Sequence, residues 1–253
     1  MVIPTVLAIA IIVLPLAALL LKVSFSNLLS DISQSNSRKA IWLTIWCSSL
    51  ATFFTAILGL PLAWHLSRAK SKLLKNLRVL VLSPLVLPPT VAGLALIALM
   101  GRNGLVGSFI YRFTGWTMPF TSWAVVLTGI FVGLPFMTLI CESALRQLPQ
   151  DIEDAAVIDR VDEFDLFKLT PLPLIRSSMT VGLLLSWARA VGEFGATLMF
   201  AGSMPGITQT WSMAIYQYLD LDISTAYSLA ATLLIISILV VFSLRHSIER
   251  AFR

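Results

Sequence analysis

Charge is what this 253-residue sequence has least of: Asp, Glu, Lys and Arg together make up 12% of it. A water-soluble domain carries about 25% charged residues, because its surface must be solvated. With 57% hydrophobic residues and a mean hydropathy of +0.88, a soluble globule would expose large apolar patches and aggregate. Disordered, collagen-like and disulfide-scaffold classes fall with the same numbers. Lipid must therefore cover most of the outer surface.

Histidine and cysteine are nearly absent, at two residues each. Cys47 and Cys141 each lie deep in an apolar run, which suits small core residues better than a disulfide or metal ligands. A Cys/His metal site lacks its donors. The chain also has no glycine-rich phosphate loop, no catalytic carboxylate pair in a polar setting and no nucleophile–base pair. The expectation is a protein that is not an enzyme and needs no cofactor and no metal. Any work it performs must draw on energy from elsewhere.

Long apolar runs are what the sequence does have. Crossing about 30 Å of hydrocarbon takes roughly 20 apolar residues in a helix. The runs predict six transmembrane helices, at about 3–22, 42–66, 79–100, 121–142, 178–201 and 224–244, in one domain covering residues 1–253. They are too long and too apolar for barrel strands, so the fold class is an all-α integral membrane protein. The first run lacks a basic flank and a small-x-small cleavage site, so it reads as a retained helix rather than a signal peptide.

Basic residues set the orientation. Arg68, Lys70, Lys72, Lys75 and Arg78 follow the second span, and Arg146, Arg160, Lys168 and Arg176 follow the fourth. Arg245, Arg250 and Arg253 follow the last. These twelve face five on the other side (Lys22, Arg38, Lys39, Arg102 and Arg112), which places both termini in the cytoplasm. The net charge of +5 is thus explained by anionic headgroups, with no call for nucleic acid.

Two spans contain breaks. In Ser83-Pro84-Leu85-Val86-Leu87-Pro88-Pro89-Thr90, the prolines remove amide donors and clash with the preceding turn, so the third helix must kink or open. Such a break is either a packing kink or the lining of a pathway. In the fifth span, Arg189 and Glu193 stand four apart, hence on one helix face and able to pair. Intramembrane charges are costly unless paired or hydrated, and they serve a pathway or fix two helices. Gly192 and Gly195 beside them allow close approach. Pro88, Pro89, Thr90, Arg189, Glu193, Gly195 and Thr197 are therefore the candidate pathway residues.

The loop 147–176 holds seven of the thirteen acidic residues. Between them Ile152, Ala155, Ala156, Ile158, Val161, Phe164 and Phe167 recur at threes and fours, an amphipathic helical period outside any span. Surface helices on lipid carry Lys and Arg on the polar face. This one is acidic, so it suits a protein partner.

The same loop resembles the signature of bacterial ABC-importer permeases. Asp154 precedes Ala155-Ala156, Arg160 stands at the signature's Gly position, Thr170 at its Ile position, and Leu172-Pro173 close it. A second resemblance covers nearly the whole chain. Pro84–Val91, Gly101-Arg102-Asn103-Gly104, Trp187–Thr197 and Ala214-Ile215-Tyr216 are similar to the molybdate/tungstate permeases, with sulfate/thiosulfate permeases next. That resemblance implies an ABC importer type I fold in the bacterial cytoplasmic membrane, and a homodimer forming one pathway. It also implies two cytoplasmic ATPase subunits and an extracytoplasmic oxyanion-binding protein. Glu153, Asp154, Ala155, Ala156, Arg160, Phe164, Leu172 and Pro173 would carry the ATPase contact. The competing class is an ion-coupled secondary transporter, which should show inverted repeats and intramembrane acids. No repeat is visible, and Glu193 is the one carboxylate well inside a span, with Glu142 near an end.

Overall fold

The computed structural model describes residues 2–69, 71–148, 171–243 and 245, and the regular elements among them are all helical. α1 (Val2–Leu21) is an unbroken helix of 20 residues with no buried side chain. A helix apolar around its whole circumference and touching little protein needs lipid on nearly every side.

The centre is formed by α3 (Ser35–Ser67) and α7 (Ser122–Arg146). Ala40, Thr44, Cys47, Ser48, Ala51, Thr55, Gly59 and Ala63 form a buried stripe of small residues along α3. A Cβ on Gly129 would stand 2.7 Å from the Ala51 Cβ, and one on Gly59 would stand 3.0 Å from Met137 Cγ. Small residues let the backbones approach, which is how helices gain contact where lipid competes for apolar surface. Cys47 and Cys141 are free, buried members of this packing, as their apolar surroundings predicted. α9 (Arg176–Val191) lies against both helices, and its Ser186 hydroxyl donates to the Gly133 carbonyl at 2.9 Å.

The third span, expected over 79–100 with its helix kinked or opened at the prolines, is built from α4 (Lys72–Leu82), a 3₁₀ turn at Ser83–Leu85, and α5 (Pro89–Met100), with the two helices bent by 117°. α4 begins inside the basic loop, capped by the Ser71 hydroxyl, which accepts from the Leu74 amide at 3.2 Å. It carries Lys72, Lys75 and Arg78 and leaves Leu73 and Leu80 exposed. Pro88 is the extended N-cap of α5 and Pro89 its first residue, positions where a missing amide hydrogen leaves no helical bond unmade. The fifth helix, expected as one piece over 178–201, stops at Val191 and restarts as α10 (Gly195–Ala201). Glycine at 192 weakens the helix there, and the Glu193 carboxylate bonds the backbone ahead of it instead of continuing the ladder.

The sequence reading did not anticipate three helices: α2 (Phe25–Ser33), α6 (Gly107–Thr114) and α11 (Trp211–Leu221). α5 turns into α6 through a tight reversal in which Leu105 and Val106 amides donate back to Ala98 and Leu99 carbonyls at 2.9 and 2.8 Å. A Cβ at Gly104 would lie 2.7 Å from the Ala98 oxygen, so only glycine fits. Trp211 pins α11 by donating its amide to Thr44 Oγ1 at 2.7 Å and its indole N–H to the Leu229 carbonyl at 3.1 Å. Leu229 belongs to the last helix, α12 (Ile223–Ser243), whose Ser228 hydroxyl donates to the buried Asp31 of α2 at 2.6 Å. Among the described residues, α1, α3, α7 and α12 are each long and apolar enough to cross a membrane, and the bent α4–α5 pair makes a fifth candidate.

Candidate translocation site

The two broken segments meet at their breaks. α5 starts at Pro89 and α10 at Gly195, and a Cβ on Gly195 would stand 2.6 Å from the Pro89 Cβ. One turn further, a Cβ on Gly93 would stand 2.5 Å from the Met199 Cβ and 3.0 Å from the Ala196 carbonyl. The half-helices therefore run side by side from a common start. Pro88, Pro89 and Thr90 are exposed, while Thr197 is buried one turn into α10.

Arg189 and Glu193 do pair, with Nη1 and Oε2 2.5 Å apart. The expectation of one continuous helix face is corrected, because Glu193 lies in the break after α9 has ended. Its other oxygen, Oε1, accepts from the Ala196 amide at 2.8 Å and so caps the first turn of α10. The carboxylate is 3% exposed and the guanidinium side chain 34% exposed, so the anion is sealed in while the cation faces outward. A buried carboxylate needs both partners, since desolvation would otherwise exceed the attraction. Phe194 fills the remaining bend by packing its ring 5.2 Å from Tyr216 of α11.

The far ends of α5 and α10 open on a cavity of about 470 Å³, lined by Ile97, Met199, Phe200, Phe120, Arg102 and Tyr111. Arg102 donates to the Tyr111 hydroxyl at 2.7 Å and stacks on its ring at 4.3 Å. The site thus joins a cavity bearing one cation to a break bearing another, through two short helices packed on glycine. Among the described residues there is no cluster of His, Cys, Asp and Glu that could hold a metal ion.

Comparison with known proteins decides what this geometry belongs to. Residues 55–253 match the family model of the binding-protein-dependent transport system inner membrane component. The chain belongs to that family. It is 35% identical over 238 residues to the molybdenum transport system permease protein ModB of Mycobacterium tuberculosis, covering 94% of this chain and 90% of that one. It is 32% identical over 234 residues to the probable sulfate transport system permease protein cysT of Prototheca wickerhamii, covering 91% of each. The fold is that of a chain in the crystal structure of a bacterial alginate ABC transporter in complex with alginate pentasaccharide-bound periplasmic protein. That match has a TM-score of 0.76 at 15% identity, and covers 99% of this chain and 93% of that one.

As an inner membrane component of a binding-protein-dependent system, the chain is a multi-pass transport protein rather than an enzyme. The permease resemblance read from its motifs is thereby borne out. Of the loop residues assigned to ATPase contact, Leu172 and Pro173 sit in the one-turn helix α8 (Pro171–Leu174), at the entrance to α9. Glu153, Asp154, Ala155, Ala156, Arg160 and Phe164 lie outside the described residues.

One charged cluster escaped the sequence reading. Glu142 of α7, 1% exposed, accepts from Arg146 Nε at 3.0 Å, lies 2.8 Å from Arg146 Nη2 and lies 3.1 Å from Arg78 Nε of α4. Arg146 also donates to the Leu66 carbonyl near the end of α3 at 3.0 Å. The Arg78 contact is an ion pair rather than an aligned hydrogen bond. A single carboxylate therefore ties α4 to the central pair near the end of α7. The i,i+4 spacing of Glu142 and Arg146 was the available signal; Arg78, 64 positions earlier, gave none.

Proposed function

We propose that the chain is the pore-forming permease subunit of an ATP-driven ABC importer that carries molybdate or tungstate into the cell. Two copies form one pathway, two cytoplasmic ATPase subunits power it, and an extracytoplasmic binding protein delivers the anion. In this reading α4–α5 and α9–α10 are the third and fifth of six spans, and both termini are cytoplasmic. The pathway runs past Pro88, Pro89, Thr90, Arg189, Glu193, Gly195 and Thr197. Loop 147–176 docks in the ATPase through Glu153, Asp154, Ala155, Ala156, Arg160, Phe164, Leu172 and Pro173.

The observation that carries this reading is the meeting of the two broken segments at Pro89 and Gly195, with an arginine turned outward beside them. Irregular backbone at membrane depth is tolerated where it lines a protein-enclosed route. The molybdenum permease relative supports the cargo. The sulfate permease relative supports sulfate as the second reading, since all three anions are tetrahedral dianions. Alternating access then follows from differential binding: the ATPase shifts the pore between two states only by the difference in its affinity for them.

The test is uptake by proteoliposomes holding the chain, its ATPase and its binding protein. ATP-dependent accumulation of labelled molybdate, outcompeting a tenfold excess of sulfate, is the expected outcome. Accumulation of sulfate alone would select the second reading, and uptake driven by an ion gradient without ATP would overturn both.

A further inference from the structure

We propose that Arg189 is a direct, transient contact for the oxyanion in transit, and that Glu193 is there to keep that contact weak. The inference rests on the permease reading above and assigns chemistry within it.

Arg189 is the only basic residue between Arg176 and Arg245, a stretch containing α9 to α12. One of its terminal nitrogens engages Glu193, which is its partner among the described residues. Its side chain keeps 34% of its exposure, so the rest of the planar fork stays open. Two parallel N–H groups match two oxygens of a tetrahedral oxyanion, the bidentate geometry that arginine provides and lysine does not. The outward face sits where α9 ends and the glycine-packed start of α10 touches Pro89.

Glu193 is built to stay put while Arg189 serves a second anion. Its Oε1 is fixed by the Ala196 amide at 2.8 Å, and at 3% exposure it has no route to water. A lone guanidinium in a low-dielectric break would hold a dianion too well, because attraction rises as the effective dielectric falls. With a fixed carboxylate behind it, the pair is neutral overall, and an arriving dianion meets a good hydrogen-bond fork but no net charge. Conduction requires that compromise: binding strong enough to enter and weak enough to leave. A purely structural pair would fix α9 to α10 and leave anion affinity untouched.

The test uses the assembled complex without its binding protein, with tungstate as the probe. Glu193→Gln keeps an oxygen for the Ala196 amide but removes the charge. It should bind tungstate tighter than the wild type by about tenfold or more, while uptake in the complete system slows. Arg189→Gln should lose both tungstate binding and uptake, and Arg189→Lys should recover only part. Unchanged tungstate affinity in Glu193→Gln, or retained affinity in Arg189→Gln, would overturn the proposal. Wild-type complex soaked in concentrated tungstate gives a check independent of any variant. Density of the heavy atom within hydrogen-bonding distance of the guanidinium supports it, and an empty fork contradicts it. If the wild-type complex imports no oxyanion at all, the permease reading fails first; if it imports normally and these results are negative, only the role of Arg189 falls.

Discussion

Gly195 rests against Pro89 so closely that a Cβ on the glycine would lie 2.6 Å from the proline's own Cβ. Both residues open half-helices, so their contact joins the two breaks. Gly195→Ala should force them apart, at about 1–3 kcal/mol of overpacking, and reduce uptake in assembled complexes. Gly192→Ala, three residues earlier, is the matched control: among the described residues its new Cβ meets only the Ala188 carbonyl, at 3.4 Å, and should be tolerated. Thermal unfolding in detergent alongside vesicle uptake checks both. Equal effects at the two positions would remove the special status of the Pro89 contact.

The cluster around Glu142 predicts an asymmetry. Arg78 and Arg146 are 42% and 43% exposed and can rehydrate, while Glu142 at 1% cannot. Glu142→Gln should therefore destabilise by about 1–3 kcal/mol. Replacing both arginines by Gln strands a buried carboxylate and should cost about 3–5 kcal/mol. Denaturant unfolding of the three proteins gives the order directly.

Asp222 supports the start of α12, accepting from Thr225 Oγ1 at 2.6 Å and from the Ser224 amide at 3.1 Å. The Thr225 hydroxyl bond, with the Ser224 and Thr225 backbone amides, holds its carboxyl below the usual range. A depressed folded value means the cap is fully present above about pH 4 and is lost as pH falls through the folded value. Protection of the amides in the first turn of α12, taken relative to the intrinsic exchange rate at each pH, should therefore fall under acid, and Asp222→Asn should abolish that pH response.

The docking role proposed for loop 147–176 predicts contact along 154–164. Single cysteines there should crosslink to the ATPase in transporting membranes, with a pattern that changes on adding ATP. Ala156→Trp should weaken assembly by about 5- to 150-fold while membrane insertion stays normal. An assembled, active complex with no crosslink along the stretch would remove the assignment.

The membrane class and the main helices were legible because hydropathy alone decides whether 20 residues prefer lipid. Helices long and apolar enough to cross a membrane lie over the first, second, fourth and last of the apolar runs. The breaks were half legible. Pro88 and Pro89 announced one, but its 117° bend depends on Pro89 opening a new helix against Gly195, a contact 106 residues away in sequence. Glu193 was paired correctly with Arg189 by spacing, yet four residues also suit a helix that continues. Only the Ala196 amide, drawn to the same carboxylate, shows that the helix ends. α2, α6 and α11 were missed because short helices of mixed polarity leave no long apolar run.

The most direct test of the pathway is the reach of water to Thr90, whose side chain is exposed beside the Pro88–Pro89 break. With Cys47 and Cys141 replaced by alanine, Thr90→Cys can be offered a charged, membrane-impermeant thiol reagent from either side of the bilayer. Labelling from one side in the resting complex, switching to the other when ATP hydrolysis is trapped, is the expected result. A thiol that reacts from neither side in any state, yet reacts with a lipid-soluble reagent, would place the break against lipid and contradict the proposed route.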